Sequence, residues 1–95
     1  MEPLTTEQIG SEFQDIDLEW SLLAGVSLER EYKFKDFKEA LSFVNKLGEV
    51  AEVMNHHPDI GLSYGKVSVQ VTTHSAGGLT KKDFEFVKAI KEIKV

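Results

Sequence analysis

The chain has 95 residues, a formal net charge of −5 and no cysteine. That length predicts a single domain over residues 1–95, because domains run to roughly 100–200 residues and chains of about 60 already fold alone. The missing cysteine excludes a disulfide framework and a Cys-based zinc site; the acidic balance argues against non-specific nucleic-acid binding, which runs on clustered Lys and Arg; and no apolar run approaches the roughly 18 residues of a membrane span.

The opening "MEPLTTEQ" lacks the basic start and apolar core of a signal peptide, so a cytoplasmic location is expected. A short helix is predicted over about residues 6–14. Thr5 with Gln8 three positions on is a capping-box pattern, and Ile9, Phe13 and Ile16 fall at helical spacing. Trp20 to Leu23 reads as a strand, Ala24-Gly25 as a turn, and "VSLEREYKF" as the partner strand. In that segment Val26, Leu28, Tyr32 and Phe34 share one parity, which only Arg30 breaks, and charged residues occupy the other.

Residues 36–54 carry the strongest helical pattern. Asp36 with Glu39 marks its start, and Phe37, Leu41, Val44, Leu47, Ala51 and Met54 form a stripe predicted to face the core. Pro58 pushes His57 out of the α region, so the helix should stop near Asn55 or His56. A second hairpin follows, Ile60 to Ser63, a turn at Tyr64-Gly65, then Lys66 to Thr73, with Val67, Val69, Val71 and Thr73 on the buried parity. After "SAGG", Thr80 with Asp83 repeats the capping-box pattern and opens a last helix, whose stripe is Phe86, Val87, Ile90 and Ile93. The element order is α-β-β-α-β-β-α. Two hairpins imply an α+β fold: a four-stranded antiparallel sheet with long helices packed on one face.

All three histidines, His56, His57 and His74, lie in "EVMNHHPDIGLSYGKVSVQVTTH", residues 52 to 74. Glu52 and His56 are four apart, hence neighbours on a helix side. His57 leaves helical geometry before Pro58, so its ring should diverge from that of His56. His74 is predicted at the end of a strand, on its polar side, where a solvent-exposed role is the plain alternative. Asp83, third after a Thr cap, would serve the helix start in any case, yet it also borders the buried stripe. Histidine titrates near pH 6.5 when unperturbed, so acid–base catalysis is the chemistry such a set suits. A shared metal is awkward for diverging neighbours, and H-E-x-x-H is absent. Nucleophilic catalysis lacks both a cysteine and a G-x-S-x-G elbow.

Glu52, His56-His57-Pro58, Tyr64, His74 and Asp83, at these fixed separations, resemble the motif of the pterin-4a-carbinolamine dehydratases. "FKDF" at Phe34 to Phe37, Trp20 upstream, "YGKV" and "GLT" before Lys81-Lys82-Asp83 are also similar to that family. The resemblance implies a dehydratase that converts 4a-hydroxytetrahydrobiopterin to quinonoid dihydropterin and water, supporting tetrahydrobiopterin recycling, with no cofactor and no metal. It implies catalytic roles for His56, His57 and His74, with His56 and His74 as the acid–base pair and His57 mainly holding the pterin. Glu52 and Asp83 would orient histidines or bind the amino-pyrimidine edge; Trp20 and Tyr64 would either wall or stack the flat ring or serve as a core residue and a turn residue. Expected partners are the small-molecule pterin, a second or further copies in a homodimer or homotetramer, and an aromatic amino acid hydroxylase in the pathway, with no direct nucleic acid and no membrane. Asn55 and Lys82 depart from the acid and the arginine of better-known animal members. The competing reading is a non-catalytic pterin-binding or protein-interaction module, of the kind in which a family member serves as a dimerisation cofactor of a transcription factor.

Overall fold

The computed structural model describes residues 2–95. Its elements run α1 (Thr6–Phe13), β1 (Ser21–Leu23), β2 (Ser27–Lys33), α2 (Phe37–Met54), β3 (Asp59–Ser63), β4 (Lys66–Val71), a 3-10 turn (His74–Ala76) and α3 (Lys81–Ile90). The order matches the α-β-β-α-β-β-α expectation. The sheet is antiparallel throughout, with strand order β1-β2-β4-β3, so β1 and β3 form its edges. Only α2 is long; α1 and α3 have 8 and 10 residues.

Strand parity sorts the sheet into two faces. On one, Leu28 pairs with Val71, Arg30 with Val69, and Tyr32 with Val67, and the valines are buried under the helices. The other face carries Glu29, Glu31, Ser68 and Gln70. Arg30 keeps the apolar parity that its charge seemed to break. Its guanidinium lies 4.2 Å from the centroid of the Tyr32 ring and pairs with Asp17 at 3.5 Å, so the charge is matched at the margin of the core. Burial pushes the Tyr32 phenol up from its ordinary range. At the β1–β2 turn Ala24 and Gly25 both have positive φ, 53° and 73°, the backbone of a tight hairpin whose twist suits antiparallel strands.

The apolar stripe of α2 departs from the expected one. Ala40, Phe43, Leu47 and Ala51 are its buried residues, whereas Phe37 and Leu41 are exposed. Small Ala40 and Ala51 let the helix approach the sheet closely, and Phe43 fills the space against Tyr32 and Phe34 at ring separations of 4.5 and 5.2 Å. Helix α3 buries Phe84 as well as Phe86, Val87 and Ile90, and Ile93 packs beyond its end. Each such large apolar side chain stabilises the fold by about 1.5–3 kcal/mol when fully buried. The chain before α1 is tied to the α3 entry by the Leu4 N–H donating to the Leu79 carbonyl at 2.7 Å. Among the described residues, no helix is long and apolar enough to cross a membrane.

Candidate active site

The site begins where α2 ends. Asn55 takes the left-handed conformation, with φ 51° and ψ 45°, and its N–H still reaches the Ala51 and Glu52 carbonyls. The His56 N–H then folds back to the Ala51 carbonyl at 3.0 Å. Together these bonds close the helix in the manner of a Schellman motif, which asparagine tolerates better than most residues. The reversal swings His56 inward and leaves His57 outside. His57 therefore meets Glu52, its Nε2 against Oε2, while His56 bonds Asp83 instead. The helical spacing had suggested the other pairing; it fails because the helix stops two residues before His56.

His56 is 9% exposed and its Nε2–H donates to Oδ1 of Asp83 at 2.6 Å. Its ring stands edge-on to Phe86, with centroids 6.1 Å apart. Asp83 is fully buried, at 0%. The helix-capping role and the histidine-holding role, which competed in the sequence, are both present and use different oxygens. Oδ2 accepts the Thr80 N–H at 2.8 Å and the Thr73 hydroxyl at 2.7 Å, and Oδ1 faces His56. With Nε2 engaged, His56 has Nδ1 free for other chemistry. Nδ1 makes no side-chain hydrogen bond among the described residues.

His74 is exposed and opens the 3-10 turn instead of ending a strand. Strand β4 stops at Val71 because Thr73 leaves the ladder to bridge Gly78 and to bond Asp83. The His74 backbone is thus anchored, through its neighbour Thr73, to the same carboxylate that holds His56. Trp20 and Tyr64 are not brought to the histidines. Trp20 is 3% exposed and packs edge-to-face on Tyr32 with centroids 6.4 Å apart, a core role. Tyr64 is 70% exposed at the β3–β4 turn.

Two concavities flank these groups. One, of about 730 Å³, runs between α2 and β3 and is lined by Glu52, Val53, His57, Pro58 and Ile60, among others. The other, of about 680 Å³, lies on the open sheet face among Glu19, Glu29, Glu31 and Asp59 and contains none of the histidines. Of the two, only the first is lined by a histidine, His57; His56, His74 and Asp83 line neither. Among the described residues, no three His, Asp or Glu side chains are grouped so as to hold a metal ion. Thr73, Thr80 and Asn55 also take part, although sequence reasoning assigned them only a strand position, a helix cap and a helix end and not a place in the site. The signals were an αL-tolerant residue just before the histidine pair and two threonines flanking the Gly-rich turn.

The sequence profile of the family described as Pterin 4 alpha carbinolamine dehydratase matches residues 2–93. The chain belongs to this family. A relative from Sulfurisphaera tokodaii is 46% identical over 93 residues, covering 98% of both chains, and one from Trichormus variabilis is 57% identical over 74 residues, 78% of each. Both carry the name pterin-4-alpha-carbinolamine dehydratase provisionally. A crystal structure of a transcriptional coactivator/pterin dehydratase from Brucella melitensis superposes with a TM-score of 0.87 at 30% identity, covering 95% of this chain and 96% of that one. A pterin dehydratase-like RuBisCO assembly factor of the alpha-carboxysome shares the fold, with a TM-score of 0.65 at 15% identity over 76% of this chain and 84% of that one. The match to the pterin dehydratase family thus spans nearly the whole chain, with all three histidines inside it.

Proposed function

We propose that this member of the pterin dehydratase family is an active dehydratase that removes water from 4a-hydroxytetrahydrobiopterin and yields the quinonoid dihydropterin. The observation that carries the reading is the His56–Asp83 pair: a buried carboxylate fixes one ring nitrogen and leaves the other available. An isolated histidine offers no such commitment, and a histidine–carboxylate pair is the usual way to hold an imidazole in one tautomer for proton transfer.

The reaction needs two proton transfers. The lone pair on the ring nitrogen beside C4a forms a C4a–N double bond as the C4a–O bond breaks. The leaving hydroxide takes a proton from an acid and departs as water. The same ring nitrogen then gives its own proton to a base, so one proton is donated and one recovered. His56 through Nδ1 and the exposed His74 fill these two roles, and exchange them for the two 4a stereoisomers. His57, held by Glu52 at the wall of the α2–β3 groove, contacts the pterin and sets its affinity. Asp83 acts through His56. Trp20 and Tyr64 stay outside this assignment, since their surroundings give them a packing role and a turn position.

We further propose a homodimer or homotetramer, working in the cytoplasm downstream of an aromatic amino acid hydroxylase. Exposed Phe37, Leu41, Val53 and Ile60 support self-association. The decisive assay generates the carbinolamine and follows its absorbance decay. Wild type should accelerate the decay, and the His56→Ala/His74→Ala variant should return it to the uncatalysed rate. A wild-type rate equal to the uncatalysed one would sink the enzymatic reading. It would favour a non-catalytic pterin-binding or protein-interaction role.

A further inference from the structure

Thr73 and Thr80 form a run of hydrogen bonds whose direction can be worked out. Asp83 already receives the Thr80 N–H on Oδ2 and faces His56 on Oδ1. A carboxylate accepts and does not donate, so the 2.7 Å contact from Thr73 Oγ1 must use the threonine proton. Having spent its proton there, Thr73 Oγ1 is left as the acceptor in its 2.8 Å contact with Thr80 Oγ1. The Thr80 hydroxyl therefore donates to Thr73, and itself accepts the Lys82 N–H at 3.3 Å. Each hydroxyl donates one hydrogen bond and accepts at least one, and each step points the same way. The chain runs from the first turn of α3 through Thr80 and Thr73 to the carboxylate. There it meets the His56 Nε2–H arriving from the other side.

All members are buried: Thr73 at 5%, Thr80 at 6% and Asp83 at 0%. Water does not compete for these bonds, and chains of aligned hydrogen bonds strengthen one another in such surroundings. The Thr73 backbone is pinned as well, its N–H to the Gly78 carbonyl at 3.2 Å and its carbonyl to the Ala76 N–H at 3.0 Å. The residue that orients Asp83 is thus also the fixed point from which His74 departs.

We infer that Thr73 is a positioning residue for the dehydration: its hydroxyl, aligned by Thr80, keeps Asp83 acceptor-only toward His56, which holds neutral His56 in the Nε2–H form with the Nδ1 lone pair outward. This inference rests on the dehydratase reading for its rate consequence, but not for its structural one. Without the Thr73 hydroxyl, Oδ2 keeps the Thr80 N–H alone, the Thr80 hydroxyl loses its acceptor, and the carboxylate can turn away from the imidazole. Neutral His56 then samples the Nδ1–H form, which presents a proton where the base should be.

The test combines ring-nitrogen NMR with kinetics on the full chain. Long-range ¹H–¹⁵N spectra should show neutral His56 in wild type as the Nε2–H form. Thr73→Val, of matching shape, should give a mixture of both forms and lower kcat by roughly 10-fold or more with little change in KM, in line with the effect of removing outer hydrogen-bond partners elsewhere. Thr73→Ser should restore both the spectrum and the rate. A wild-type spectrum showing the Nδ1–H form overturns the inference whether or not Thr73→Val folds. So does a folded Thr73→Val with an unchanged tautomer and full kcat. If wild type shows the Nε2–H form but does not dehydrate the carbinolamine, the enzymatic reading has failed and the rate role of Thr73 falls with it, while the tautomer result still decides the hydrogen-bond chain.

Discussion

Asp83 gathers three donors that come from three segments of the chain: the Thr80 N–H at the α3 entry, the Thr73 hydroxyl after β4, and the His56 ring after α2. An amide in its place has the same outline but only one acceptor oxygen, and its NH₂ must face at least one former donor. With the oxygen kept toward Thr80 and Thr73, the NH₂ faces His56 Nε2 and forces that nitrogen to accept. The proton then moves to Nδ1, the wrong nitrogen for a base. Asp83→Asn should therefore lower the dehydration rate steeply, toward the roughly 10⁴-fold loss that a misassigned histidine tautomer causes in other enzymes. The accompanying loss of stability should stay near 1–3 kcal/mol, the usual penalty for an imperfectly paired buried polar group. Urea denaturation beside the carbinolamine assay separates the two effects, and an Asp83→Asn enzyme with undiminished rate would show that this carboxylate serves the helix alone. In the sequence, the capping box announced the Oδ2 role, but nothing local could announce Oδ1, because its partner stands 27 positions away.

At the scale of elements, the site depends on how α2 ends. Asn55 at φ 51° reverses the chain so that His56 turns in toward α3 and His57 turns out toward Glu52. Alanine at this position incurs the left-handed penalty of roughly 1–2 kcal/mol, whereas glycine does not. Asn55→Ala should thus unfold at lower urea concentration and lose activity beyond what its unfolded fraction explains, since relaxing the cap displaces both histidines at once. Asn55→Gly should keep both properties near wild type; equal activity loss in the two variants would point to the asparagine side chain itself instead of the turn. Elements with strong local signals, such as the two capping boxes, the alternation of β4 and the Ala24-Gly25 turn, were legible because they depend on neighbours in the chain. The pairing of Glu52 with His57, the 3-10 turn at His74 and the rotation of the α2 stripe were not, because each is decided by contacts between elements that periodicity does not encode.

The whole molecule leaves apolar surface where α2 and β3 meet. Val53 is 86% exposed, and Phe37, Leu41 and Ile60 are also exposed, although the sequence pattern had assigned Phe37 and Leu41 to the core. β3 is an edge strand with no proline or lysine to discourage pairing with another chain. These features are poorly suited to an isolated acidic protomer and well suited to a face covered by further copies, the assembly proposed above. Sedimentation velocity should accordingly find a dimer or tetramer at micromolar concentration, and Leu41→Lys with Val53→Lys should shift it toward monomer, since each lysine would bring an unpaired charge into the interface. Glu52 and His57 line the same groove as Val53. A monomeric variant should therefore bind pterin more weakly and show a raised KM, while kcat, which is proposed to depend on His56, His74 and Asp83 outside that lining, should change little. A wild-type chain that sediments as a monomer across the accessible concentration range would remove the assembly, and with it the reason for this exposed apolar face to bear on the site.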